Sequence, residues 1–121
     1  MDMKFDVNQK IAIYARHSHS QSALDDQVRN MMDLVEQAGS YVEYDCVYSD
    51  KCHVGPEQVA LKQLLQDVAT KGIKAVVVKD PSRISRKVNE IVEVASIFVE
   101  QGAKLYFVYD KEIVDLSELS K

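Results

Sequence analysis

Arginine is scarce in this chain. Only four of its 121 residues are arginine, at positions 16, 29, 83 and 86. Lysine is commoner and spread more evenly, as a solubilising residue is. The net charge is −4, whereas a free-standing DNA-binding domain is usually basic over at least one face. The balance argues against tight grip on DNA by this chain alone, yet leaves room for a local basic site. Cysteine is rare too: Cys46 and Cys52 are too few for a disulfide framework. No apolar run nears the ~20 residues that span a bilayer, and no charged-then-apolar leader opens the sequence. A cytoplasmic location, with no membrane partner, is the expectation. Repeats and low-complexity segments are also missing, and 121 residues suit one domain.

What is present is an alternation of strand and helix signals. Residues 1–10 read as a flexible lead-in, and residues 11–121 as the domain. Ile11–Ala15 reads as a buried strand. Ser22–Ala38 reads as a helix, with Leu24, Val28, Met31 and Val35 at helical spacing and Gly39 to close it. Tyr41–Tyr48 alternates, with Val42, Tyr44, Cys46 and Tyr48 on one face, and is predicted as a strand. Asp50–Gly55 is predicted as a loop, and Pro56 as the first turn of a helix striped by Leu61, Leu64, Leu65 and Val68. Ala75–Lys79 is a β-branched strand. Ser85–Gln101 is predicted as a helix with Val88, Ile91, Val92, Ala95, Phe98 and Val99 facing inward. Lys104–Tyr109 reads as the fourth strand, and the tail from Lys111 as short and amphipathic. The expected fold is α/β, a three-layer α/β/α domain with a mainly parallel sheet of four or five strands.

Two clusters sit just past probable strands. Tyr14-Ala15-Arg16-His17-Ser18 ends the first, and Asp80-Pro81-Ser82-Arg83-Ile84-Ser85-Arg86 follows the third. Active sites of open α/β sheets lie at such strand ends. Residues two apart on an extended segment point the same way, so Arg16 and Ser18 are expected on one face. Arg83 and Arg86, three apart at a predicted helix start, are expected on another shared face. Guanidinium groups bind phosphate oxygens bidentately, and helix N-termini attract anions. A hydroxyl among arginines, with no acid–histidine relay, points to phosphoryl rather than acyl transfer. Neither Cys46 nor Cys52 begins the Cys-x₅-Arg loop of small phosphatases.

These residues resemble the catalytic domain of the serine recombinases, the resolvase–invertase family. Tyr14 to Ser18 and on through Gln21, Leu24, Asp25 and Gln27-Val28-Arg29 matches the family's first block without a gap. Asp50-Lys51 matches its next acidic position, and Arg83-Ile84-Ser85-Arg86 its paired-arginine block. The resemblance covers Ile11 to Asp110. It implies that Ser18 attacks a DNA phosphodiester, forming a 5′-phosphoserine link, and that a 3′-hydroxyl leaves and later rejoins a new partner. It implies catalytic roles for Ser18, Arg16, Arg83 and Arg86, and supporting roles for Gln27 and Asp50. No metal and no small-molecule cofactor is implied. The partner is DNA, with a homodimer or tetramer when the protein is complete.

Three departures stand beside the resemblance. Ser82 occupies a place where the family often has aspartate, and Asp80, two residues earlier, reads as a nearby structural acid or cap. No arginine occurs between Arg29 and Arg83, although the family places one after its acidic loop. Lys51 and Lys62 do not sit in the matching place. The family also continues into a long helix and a DNA-binding domain, which lie beyond Lys121. An excised catalytic domain of a recombinase or transposase fits this. So does a catalytically impaired stand-alone module acting as a regulatory or recombinase-binding partner. Blander readings attach to other residues. His17, His19, Cys52 and His53 do not match a zinc spacing. His19 is placed to act as a base near Ser18, though the family does not require one there. Tyr41, Tyr44, Tyr48, Tyr106 and Tyr109 are expected as core and sheet-face residues rather than base-stacking platforms.

Overall fold

The computed structural model describes residues 8–109 and 112–115. The expected lead-in lies outside the described residues as far as residue 7, as does the tail beyond Asp115. Strand β1 (Lys10–His17) is buried from Ile11 to Arg16. Such a continuous apolar run suits a central parallel strand covered on both faces. Helix α1 (Gln21–Gln37) starts where the Ser20 hydroxyl accepts the Ala23 N–H at 3.1 Å. A cap of this kind stabilises by about 1 kcal/mol. Leu24, Met31 and Val35 bury its inner face, and Gln27 is buried with them.

The predicted strand over Tyr41–Tyr48 is corrected. A 3₁₀ turn occupies Tyr44–Cys46, and β2 runs from Val47 to Lys51. Val42, Cys46 and Tyr48 are buried as the alternation suggests, but Tyr44 is 96% exposed. The buried residues are thus brought inward around a turn, not along one pleated face. Asp50 and Lys51 accordingly belong to a strand and not to the loop predicted from Asp50. Helix α2 (Val59–Lys71) starts after Pro56, not at it. Gly55, at φ +145°, accepts the Gln58 N–H through its carbonyl at 3.1 Å, so a tight turn holds Pro56 ahead of the helix. Leu61, Leu64 and Val68 form the buried stripe, and Gly72 ends the helix in the left-handed region at φ +71°.

Strand β3 (Ile73–Val78) is apolar and buried except at Lys74. Helix α3 (Val88–Glu100) begins three residues later than predicted. The Ser85 hydroxyl accepts the Lys87 N–H at 3.1 Å and donates to Glu90, a local turn that competes with helix at Ser85. Phe98 is buried, but Val88, Val92 and Val99 are 74%, 52% and 62% exposed. They were expected to face inward. The helix carries two apolar stripes, and only the one through Phe98 reaches the sheet. Strand β4 (Lys104–Tyr109) pairs parallel with β3, and β5 (Glu112–Asp115) pairs antiparallel with β4.

The strand order is β2-β1-β3-β4-β5, with the first four parallel. From β1 the chain moves outward to β2, then crosses back to β3 on the other side. Right-handed crossovers then place α1 on one face and α2 and α3 on the other. The sheet is a three-layer α/β/α sandwich, as expected. The reversal of direction makes a crevice between the carboxyl ends of β1 and β3, where ligands bind in open α/β sheets. Among the described residues, no helix is long and apolar enough to cross a membrane.

Candidate active site at the switch point

Both sequence clusters reach that crevice, one from the end of β1 and the other just past β3. Arg16 joins them. Its guanidinium is buried and donates to three backbone carbonyls: Nε to Arg83 at 3.0 Å, Nη1 to Cys52 at 2.9 Å and Nη2 to Ser82 at 3.1 Å. It therefore ties the loop after β2 and the turn after β3 to the end of β1. From the sequence, Arg16 is expected to hold phosphate and to activate Ser18. The structure shows an organiser of backbone, with further N–H groups on Nη1 and Nη2 beyond those bonds.

Arg83 returns the contact, donating from Nη1 to the Arg16 carbonyl at 3.2 Å. Its Nε is buried without a hydrogen bond, 3.4 Å from Asp80 Oδ2. Asp80 caps the 3₁₀ turn at Pro81–Arg83 by accepting the Ser82 N–H at 3.0 Å and the Ser82 hydroxyl. The structural reading of Asp80 thus describes its contacts. Ser82 enters the site through its carbonyl rather than its side chain. Arg86 does not share a helix face with Arg83, since it lies in the irregular segment before α3. It is exposed and has no hydrogen bond or ion pair among the described residues.

Gln27 and Asp50 both hold the scaffold. Gln27 donates to the Arg16 carbonyl at 3.1 Å and accepts the Arg16 N–H at 3.0 Å. Asp50 lies beside Arg16 in the β1–β2 register, but its carboxylate turns elsewhere. It accepts the Tyr14 hydroxyl at 2.7 Å, the Ala60 N–H at 2.9 Å and the Leu61 N–H at 3.1 Å. It thus caps α2 from a neighbouring strand, placing negative charge at the helix's positive end. Lys62 donates to the Pro56 carbonyl at 2.9 Å, away from any phosphate-binding role.

Two residues here have roles that the sequence motifs did not reveal. Gln58 is buried. It donates to the Tyr14 hydroxyl and the Arg83 carbonyl, both at 3.1 Å, and accepts the Gly55 N–H at 2.9 Å. It stands in the loop region where the family's missing arginine was sought. Tyr14 is the second, and burial raises its phenol well above the usual range. A tyrosine inside an apolar strand needs a partner for its hydroxyl. That requirement was the available clue.

Ser18 lies half-buried in the bend between β1 and α1. Its Oγ is 2.9 Å from His19 Nδ1. No hydrogen bond links it to Arg16, Arg83 or Arg86. His17 Nδ1 accepts the N–H groups of Ser20 at 3.0 Å and His19 at 3.3 Å. Desolvation and the charges of His19, Arg83, Arg16 and Lys79 lower its pKa. The two imidazole rings meet edge to face, 5.1 Å apart. A separate groove of about 640 Å³ along α1 includes Gln27 and Lys79. Asp26 and Asp33 on its wall make it unsuited to phosphate.

The family model for the resolvase N-terminal domain matches residues 11–120. The chain belongs to the resolvase family. Solved structures agree with the fold of a resolvase catalytic domain. The N-terminal catalytic domain of TP901-1 integrase is 24% identical with a TM-score of 0.77, over 90% of this chain and 83% of that one. A resolvase family site-specific recombinase from Streptococcus pneumoniae is 21% identical with a TM-score of 0.75, over 92% and 78%. The C-terminal catalytic domain of ISC1926 TnpA, an IS607-like serine recombinase, is 22% identical with a TM-score of 0.74, over 85% and 69%. No curated protein matches the sequence. The resolvase fold thus supplies the crevice, and this chain's own residues supply its lining.

Proposed function

We propose that this resolvase-family chain cleaves and rejoins DNA strands through Ser18. The observation that carries the reading is the crevice between β1 and β3. There Arg16, two residues before Ser18, is bound to the Arg83 turn through its own guanidinium and through that of Arg83. Ser18 Oγ forms a bond to phosphorus, and the bond from phosphorus to the 3′ oxygen breaks. A 5′-phosphoserine link and a free 3′-hydroxyl result. One phosphodiester replaces another, so rejoining runs as the reverse reaction without an energy source.

Arg83 and the uncommitted Arg86 are the groups to hold the phosphate oxygens. Arg16 both fixes the loops and offers its remaining N–H groups. Stabilising the pentacoordinate state is mainly electrostatic, and one lost donor costs roughly 3–4 kcal/mol, or about 10²–10³ in rate. Gln27, Asp50, Asp80 and Ser82 position these groups without touching phosphate.

The test is incubation with a pool of nicked duplexes of random sequence, followed by a denaturing gel. The wild-type chain is expected to give an SDS-stable protein–DNA adduct, absent from Ser18→Ala and strongly reduced in Arg83→Ala. Equal adduct in Ser18→Ala contradicts the nucleophile. An unchanged rate in Arg83→Ala contradicts the phosphate cage.

A further inference from the structure

Among the described residues, Ser18 has one side-chain partner, and it is not an arginine. Its Oγ lies 2.9 Å from Nδ1 of His19. The distance suits a hydroxyl donating to a ring nitrogen. We propose that His19 is the general base of the reaction, taking the Ser18 proton at Nδ1 as Oγ attacks phosphorus. The inference rests on Ser18 being the nucleophile.

The surroundings favour this assignment. The acids near the crevice are engaged elsewhere. Asp50 accepts from Tyr14 and from the start of α2, and Asp80 accepts from Ser82 beside Arg83. His17 is a poor rival, because its Nδ1 is occupied by the N–H groups of His19 and Ser20. Its ring instead packs edge to face against His19 and limits the orientation of that ring. The charged groups that act on His17, beside His19, are Arg16 from β1, and Lys79 and Arg83 from the segment after β3. All are cations that favour an approaching phosphate. His19 itself is exposed, so solvent can take the proton onward.

The proton balance closes. The hydroxyl proton moves from Ser18 Oγ to His19 Nδ1 while the Oγ–phosphorus bond forms. The 3′ oxygen leaves as a hydroxyl with a proton from water, and His19 returns its proton to water. In rejoining, water takes the 3′-hydroxyl proton as that oxygen attacks phosphorus, and His19, reprotonated from water, gives its proton to the departing Ser18 Oγ. General base catalysis of this kind contributes about 10²–10⁴ in rate.

The test uses bis(4-nitrophenyl) phosphate, whose leaving 4-nitrophenolate needs no proton, so the attack step is read alone. Intact mass of the full chain follows labelling, and peptide mapping places it. Wild type is expected to be labelled at Ser18. His19→Asn keeps an acceptor near the Nδ1 position but holds no proton. It is expected to lose about 10²–10⁴ in rate. Added imidazole is expected to restore labelling in His19→Gly. A His19→Asn rate within threefold of wild type overturns the assignment. So does a wild-type chain left unlabelled at Ser18, since the base then does not activate it. Equal labelling of Ser18→Ala instead strikes at the nucleophile, which the DNA adduct assay judges independently.

Discussion

Gln27 completes strand β1 at Arg16. Its amide donates to the Arg16 carbonyl at 3.1 Å and accepts the Arg16 N–H at 3.0 Å, as a neighbouring strand would. The β1–β3 ladder stops at Tyr14 and Val78, so no backbone partner from β3 reaches this position. Gln27→Leu fills the same space without the polar atoms. The Arg16 N–H is left unpaired, at about 1–3 kcal/mol. The urea midpoint should fall with an unchanged slope. An unchanged midpoint would show that water or another group serves equally well.

Asp50 joins Tyr14 to the start of α2. Removing the carboxylate in Asp50→Ala should cost about 0.5–2 kcal/mol for the lost cap, with a further loss for the Tyr14 hydroxyl. A double-mutant cycle with Tyr14→Phe separates the parts. Coupling of about 0.5–3 kcal/mol is expected for groups in direct contact. Simple additivity in denaturant unfolding would mean that the 2.7 Å bond contributes nothing.

Arg16→Lys retains the charge and loses the fork. One ammonium cannot replace donors aimed at the carbonyls of Cys52, Ser82 and Arg83. Each such bond to a charged donor is worth about 1.5–3 kcal/mol. A misplacement of about 1 Å can cost about 10² in rate. Arg16→Lys is therefore expected to lower both the melting temperature and adduct formation, while Lys79→Arg leaves stability nearly unchanged. Wild-type stability in Arg16→Lys would contradict the organising role.

His17 makes stability depend on pH. Its folded pKa is lowered, chiefly by desolvation and by the cations around it. The folded state therefore binds fewer protons than the unfolded chain. The contribution is present above the unfolded value of about 6.5 and is lost as pH falls through it toward the folded pKa. His17→Asn keeps an acceptor for the Ser20 and His19 N–H groups and cannot titrate. Urea midpoints across that window should fall less in His17→Asn than in wild type. Equal falls would place the pH dependence in other groups.

Much of the framework was legible because it follows two simple periods. Ile11–Ala15 and Ala75–Val78 are buried runs, and Leu24, Met31 and Val35 recur at helical spacing in α1. The misread segment at Tyr41–Tyr48 has buried Val42, Cys46 and Tyr48 at strand spacing by coincidence of a turn. Val88, Val92 and Val99 repeat at helical spacing yet face outward, because periodicity identifies a stripe and not what covers it. Around the crevice, the sequence showed that Arg16 and Ser18 lie at the end of β1 and Arg83 just past β3. The carbonyls of Cys52 and Ser82 were not, since every residue has one. Gln58 was missed because a glutamine in a loop usually faces water, and only its burial beside Tyr14 marks it.

The most direct measurement is the site of DNA attachment. Adduct formed with nicked duplex is digested with nuclease and protease, and tandem mass spectrometry locates the retained nucleotide phosphate. Attachment through a 5′ phosphate to Ser18, with a free 3′-hydroxyl on the released strand, is the expected result. Attachment at another residue, or a phosphate left on the 3′ end, would contradict Ser18 as the nucleophile.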